Sequence, residues 1–180
     1  MGMGEPLDNY DNVIKFLRLV GHKEGLNIGY RHISLSTCGI VDKIYDLADR
    51  KLQLTLSVSL HAPNDALRDE LMPVNKKWPI DELLAACVSY YKRSGRRISF
   101  EYTLISGKND TVEDAKQLGA LLISAFKPIG APIHVNLIRV NEVKETEFKQ
   151  GTVDSANNFA ELLESMGVVA TVRRRLGSDI

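Results

Sequence analysis

Short runs rich in β-branched residues alternate about five times with stretches of helical periodicity, and few folds accept that order of elements. The runs at 33–36, 54–60, 98–105, 133–139 and 168–173 read as strands. Parallel neighbours need crossovers long enough to hold a helix, so the expected class is α/β, a parallel sheet built from βα units. Helix starts are marked by Asn9 or Asp11, by Asn64, and by Thr111 with acidic Glu113 and Asp114 after it. Pro79 fits the first turn of a helix whose Ile80, Leu83, Leu84, Cys87 and Tyr91 share a face, with Gly95 as its stop. The stretch starting at Asn9 offers Val13, Ile14, Phe16, Leu17 and Leu19 as its apolar set, and 154–166 reads as a last helix ended by Gly167. At 180 residues, one domain is the default.

A parallel sheet collects the C-terminal ends of its strands, and the loops after them, on one rim where ligands bind. The segments that fall there are Gly4-Glu5, Ser36-Thr-Cys-Gly39, Ser59-Leu-His61, 101–106 and 136–141. They make a mixed donor and acceptor rim without a nucleophile–base pair. Each residue also has a plain structural role open to it. Glu5 before Pro6 suits the cap of the following turn. His61 suits a strand-end histidine bonded to Asn64 or Asp65, while Ser36 and Thr37 can close a strand and Asn141 can turn a loop.

Composition narrows the function classes. The 23 basic and 23 acidic residues balance, so an RNA partner would be met by local clusters: Lys76-Lys77, Lys92-Arg93 with Arg96-Arg97, or Arg173-Arg-Arg175. For the helix-end group at 92–97 a solvated surface is the favoured reading. Two cysteines, Cys38 and Cys87, are too few for a disulfide framework or a metal cluster, and a reducing cytoplasm is the expected location. The opening residues resemble no secretory leader, and no apolar run reaches membrane-spanning length. Asn109-Asp-Thr111 matches a glycosylation acceptor, a reading of little weight in a cytoplasmic protein.

The rim strings, in order, resemble those of the RlmN/Cfr family of radical S-adenosylmethionine (SAM) RNA adenine methyltransferases. They are Met1-Gly-Met-Gly-Glu-Pro-Leu7, Ser36-Thr-Cys-Gly39, Ser59-Leu-His-Ala-Pro-Asn-Asp65, Met72-Pro-Val-Asn-Lys76, Phe100-Glu-Tyr102, Asn109-Asp110, His134-Val-Asn-Leu-Ile138 and Gly177-Ser-Asp-Ile180. The resemblance implies a parallel (βα) partial barrel of the radical SAM type, in which SAM chelates one iron of a 4Fe–4S cluster. It implies that Gly4 and Glu5 meet the SAM amino end, that Ser36, Ser59, Leu60 and His61 line the cofactor, and that Asn141 reaches its nucleoside part. Cys38 then occupies a slot usually held by Ser, and Cys87 is core packing.

The family's cluster ligands form a Cys-x3-Cys-x2-Cys motif upstream of the Gly-Glu-Pro string. Its methyl-carrying cysteine follows a Gly-Asp-Asp-Ile string, which Gly177-Ser-Asp-Ile180 resembles. Neither set is in this sequence. The expectation is therefore a core-domain piece of the parent enzyme, truncated at the first βα unit and inactive alone. A strand at 1–5 with an open edge would favour dimers. For the parent, the resemblance implies methylation of an adenosine in 23S rRNA and possibly tRNA, at C2 by preference. Cfr-type C8 methylation, or a non-catalytic SAM- or RNA-binding βα module, is the alternative.

Overall fold

The computed structural model describes residues 4–140 and 148–173. Five strands form one sheet in sequential order: β1 (Ser34–Thr37), β2 (Thr55–Ser59), β3 (Ile98–Leu104), β4 (Ile133–Arg139) and β5 (Val169–Val172). All four pairings are parallel. Helix α1 (Tyr10–Gly21) precedes β1, and the crossovers carry α2 (Val41–Asp49), α3 (Asp65–Leu71) with α4 (Ile80–Ser94), α5 (Val112–Phe126) and α6 (Val153–Ser165). Right-handed crossovers between successive neighbours put every crossover helix on the same face. This is the α/β parallel class expected from the alternating pattern.

Strand alternation then separates the two faces chemically. Leu56 and Val58 of β2, Ile98, Phe100, Tyr102 and Leu104 of β3, and Ile133, Val135 and Leu137 of β4 are buried under the helices. Phe100 meets Phe126 of α5 edge-on at 5.4 Å, and Tyr102 meets Phe159 of α6 at the same centroid distance. The opposite face carries Ser34 and Ser36, Ser57 and Ser59, Ser99 and Glu101, and His134 and Asn136. Among the described residues none of the crossover helices lies on it, yet Ser57 and Ser99 on the central strands are buried.

Caps follow local chemistry. Asn64 Oδ1 accepts from Leu67 N, Thr111 and Asp114 form a reciprocal capping box, and Gly95 closes α4 at φ +65°. Several boundaries differ from expectation. Pro79 is the N-cap of α4 and not inside its first turn, and Tyr90, more than Tyr91, is the buried ring, its hydroxyl donating to Leu54 O. Phe16 and Leu19 point outward at 61% exposure, because Tyr10, Ile14, Leu17 and Val20 define the buried stripe of α1. Of the strand expected at 1–5, residues 1–3 lie outside the described set. Gly4 is a bend at φ +96°, and Glu5 is the N-cap of a 3₁₀ turn, Pro6–Asn9, so the sheet edge described here is β1. Among the described residues, no helix is long and apolar enough to cross a membrane.

Candidate functional site

The C-terminal rim of β1 and β2 is held together by one buried cation. Arg68, on α3, has no solvent exposure, and its guanidinium donates to four oxygens: Leu60 O at 3.1 Å, Ser59 O at 3.0 Å, Cys38 O at 2.9 Å and Asn75 Oδ1 at 2.8 Å. Three of these are carbonyls that the two strands present as they end. Burial lowers the Arg68 pKa, and Asp65 and Asp69 oppose that shift. Both carboxylates reach Arg68 through buried Asn75, whose amide donates to Asp65 Oδ1 at 2.9 Å and Asp69 Oδ1 at 2.7 Å. The arrangement screens a buried charge without a direct ion pair.

Glu5 is fastened to the same rim. Its Oε1 accepts from Leu7 N at 3.0 Å, which is the capping role open to it from sequence, and its Oε2 accepts from Cys38 N at 2.7 Å. The carboxylate keeps acceptor capacity beyond these two bonds. The half-buried Cys38 thiol is pushed up to about 12 by burial and by its bond and proximity to Glu5. A thiol that basic is protonated near neutrality and is a poor nucleophile or iron ligand. Cys87, wholly buried in α4, is likewise raised to about 12 by burial.

His61 follows β2 in the left-handed region at φ +58°. Its ring does not bond Asn64 or Asp65; Nδ1 accepts from Thr103 N at 3.0 Å and so continues the ladder of β3 past the end of β2. With Nδ1 as acceptor, the neutral ring carries its proton on Nε2, a single N–H donor. Burial, with a smaller contribution from Arg68, lowers the pKa from 6.5 to about 4. The unfolded chain therefore takes up a proton that the folded chain refuses. Stability from this group is complete above pH 6.5 and is lost as pH falls toward 4, by up to about 3 kcal/mol. His61→Asn keeps an acceptor at the Nδ1 position and tolerates positive φ, so it should flatten the acid limb of the stability curve. Urea midpoints between pH 4 and 7 check this; equal acid limbs in both proteins would remove His61 as the source.

The structure joins most of the expected rim residues. Glu5, Ser59 and Leu60 converge through Cys38 and Arg68, and His61 N and Leu60 N both donate to Glu101 O, at 3.3 and 3.0 Å. Leu60 has its side chain in the core and both main-chain groups bonded, which leaves one carbonyl lone pair for a ligand. Ser36 is exposed on the open face, one turn of the pleat below Cys38. Asn141 lies outside the described residues. Arg173 is exposed, with its N–H donating to Leu137 O at 2.8 Å, while 174 and 175 are not among the described residues.

Sequence reasoning missed Arg68, and it quoted Asn75 and Asn109 only within strings, without a structural role. Asn109 is fully buried; its Nδ2 donates to His61 O and Thr103 O, both at 2.8 Å, and its Oδ1 accepts from Ile105 N at 2.7 Å. The amide nitrogen a glycan would need is thus enclosed, in keeping with the little weight given to the acceptor motif. Below the rim, register places Glu101 beside Asn136, and Asn136 Nδ2 donates to Glu101 Oε2 at 2.6 Å. Among the described residues no three His, Cys, Asp or Glu side chains converge as metal ligands. An iron–sulfur cluster needs several converging thiolates, so the two raised, separated thiols do not fit one. The rim does suit a zwitterion: a carboxylate, an imidazole N–H, hydroxyls and main-chain carbonyls.

Three comparisons bear on this geometry. A family model described as "Radical SAM superfamily" matches residues 1–119. The chain is 57% identical over all its 180 residues to a "Probable dual-specificity RNA methyltransferase RlmN" of Clostridium perfringens (strain 13 / Type A), covering 50% of that protein. It is 53% identical to the protein of the same name from Thermoanaerobacter sp. (strain X514), covering 51%. The chain thus spans about half the length of the curated relatives it matches. Among solved structures, a radical SAM methyltransferase from Sphaerobacter thermophilus superimposes with a TM-score of 0.92 at 44% identity, over 100% of this chain and 51% of that one. A domain of pyruvate-formate lyase-activating enzyme from Bacteroides vulgatus ATCC 8482 shares the fold at a TM-score of 0.68 and 16% identity, over 97% of each chain.

Proposed function

On the premise that this chain belongs to the radical SAM superfamily, we propose that it is the SAM-holding core of an RNA adenine methyltransferase. The observation that carries this reading is the convergence of Glu5, Ser59 and His61 on one rim, in a chain whose relatives are named dual-specificity RNA methyltransferases. SAM, when bound, supplies the methyl group. Glu5 accepts from the SAM ammonium through lone pairs left by Cys38 N and Leu7 N, a charge-assisted contact at a site already shaped by two backbone donors. Gly4 lets the backbone approach closely, since its φ of +96° suits glycine and no atom crowds the place of a side chain. His61 offers Nε2–H, Ser36 and Ser59 offer hydroxyls, Leu60 offers its remaining carbonyl lone pair, and Asn141 would reach the nucleoside portion.

The whole protein's activity under this proposal is C2 methylation of an adenosine in 23S rRNA, with tRNA as a second substrate, in the cytoplasm. Cluster ligands and a methyl-carrying thiol are expected from residues other than Cys38 and Cys87, since no three ligating side chains converge among the described residues and burial pushes both thiols up to about 12. The 180-residue chain by itself is accordingly expected to bind and not to turn over.

Calorimetry with S-adenosylhomocysteine tests the reading. Binding is expected in the range of about 0.1–1 mM, weakened roughly tenfold by Glu5→Gln, which removes the charge that pairs with the ammonium. A folded chain that binds no ligand at several times that concentration, or binds it equally well as Glu5→Gln, would overturn the rim assignment.

A further inference from the structure

The open face of the sheet holds a second feature, at the end opposite the rim. A cavity of about 350 Å³ lies against the N-terminal ends of β1, β2 and β3, bounded by Arg31, Arg97, Ser57, Ser99, His134 and Asn136 among others. Ser57 and Ser99 in its near wall are four residues from His61 and Thr103, about 13 Å along the strands, and its arginines lie at the far end. It shares the open face with Ser36 and Ser59 of the rim, and its two arginines mark the end of that face away from Glu5 and His61.

Among the described residues its lining includes two guanidinium groups and no carboxylate. Arg31 is oriented by a neutral partner: its Nε and Nη2 donate to Gln53 Oε1 at 3.2 and 3.1 Å, so the charge is aimed but not cancelled. Arg97 has no hydrogen bond or ion pair among the described residues, unlike Arg93 nearby in sequence, which pairs with Asp49. The helix-end basic group, read from sequence as plain solvated surface, is therefore divided between a surface ion pair and this cavity wall. Between the arginines the lining is polar and ordered. Ser99 Oγ and His134 Nδ1 are 2.9 Å apart, Ser34 and Ser57 hydroxyls are 2.8 Å apart, and Asn136 is fixed by Glu101 with its second amide hydrogen and Oδ1 unspent. Glu101 turns one oxygen to Ser99 and the other to Asn136 and makes no ion pair with either arginine among the described residues.

The geometry points to a phosphate-monoester site: a small ligand of mononucleotide size, its phosphate between Arg31 and Arg97 and its polar body against the Ser99–His134–Asn136 wall. Paired guanidinium forks match phosphate oxygens in shape and charge, and the volume falls in the range of small-molecule sites.

Titration of the 180-residue chain at low salt with adenosine 5′-monophosphate, inorganic phosphate and adenosine, followed by amide chemical shifts, tests the site. The two phosphates are expected to saturate in the range of about 1–5 mM and to shift Ser99 and His134 amides, with adenosine alone silent. A response to the monophosphate at least threefold tighter than to inorganic phosphate would show that the body of the ligand is held too. Arg97→Gln and Arg31→Gln should each weaken phosphate binding about fivefold or more. Both side chains are exposed, so unchanged melting temperatures are expected and a folding defect is not at issue. Glu5→Gln should leave phosphate binding intact, and the two arginine variants should leave S-adenosylhomocysteine binding intact, so either site can fail without the other. Absence of saturation by about 20 mM, or saturation that neither arginine variant weakens, would overturn the site.

Discussion

Replacing Arg68 by Met is expected to lower the unfolding free energy by about 4 kcal/mol, a large share of what a domain this size has available. Met keeps most of the stem volume, so the effect isolates the guanidinium. Without it, Leu60 O, Ser59 O, Cys38 O and Asn75 Oδ1 lose their donor in a place with no solvent exposure, and buried acceptors left unpaired cost about 1–3 kcal/mol each before relaxation. Asp65 and Asp69 also lose the cation that Asn75 connects to them. Arg68→Lys should recover little, because one ammonium cannot reproduce a fork that spans two strand ends. Urea unfolding of the three proteins checks this. A loss below about 1 kcal/mol for the Met variant would mean that water enters and satisfies the carbonyls.

Asn109→Ala is expected to cost about 3 kcal/mol for a related reason, with a more local signature. The Asn109 amide ties the loop after β3 to Thr103 O and to His61 O, while Oδ1 satisfies Ile105 N. Alanine strands one donor and two acceptors at a fully buried position. Hydrogen exchange should accelerate at Ile105 and Thr103 before the rest of β3, because Thr103 N depends on the His61 ring whose backbone Asn109 holds. Uniform acceleration across the sheet would indicate a global loss only. Asn109→Asp should be at least as damaging at neutral pH, since a carboxylate would face two carbonyl oxygens. Its buried carboxyl would have a raised pKa in the folded state, so this variant should regain stability as pH falls below that value.

The two residues differ in how far the sequence foretold them. Asn109 stood in a string that resembled a known family, but nothing in its local sequence indicated that it would be buried. Arg68 carried no signal, because a charged residue within Asp65–Leu71, a seven-residue helix rich in charge, reads as solvent-facing. What buries it are oxygens 8, 9 and 30 positions away in the chain. Phe16 and Leu19 failed in the opposite sense. Their apolar character suggested a buried face, yet a helix has one stripe, and Tyr10, Ile14, Leu17 and Val20 already fill it.

Glu5 and His61 show a subtler division. Sequence placed both on the ligand rim and also allowed each an ordinary structural role. The structure gives both a structural role and keeps binding capacity in hand: remaining lone-pair capacity on the Glu5 carboxylate and Nε2–H on His61. Only the partner of His61 was misjudged, since Thr103 is a neighbour across the sheet and not along the chain.

The order of elements, the parallel sheet, the apolar and polar alternation along each strand, the caps at Asn64, Thr111 and Gly95, and the family resemblance all follow from this sequence read locally. These properties depend on residue spacing and backbone preference, which act over a few positions. The Arg68 clamp, the enclosure of Asn109, the bond from Thr103 to His61 and the cavity between Arg31 and Arg97 were decided only by the tertiary structure. Each joins groups that the chain separates by one or more βα units, and burial and charge pairing at such distances are set by which strands become neighbours.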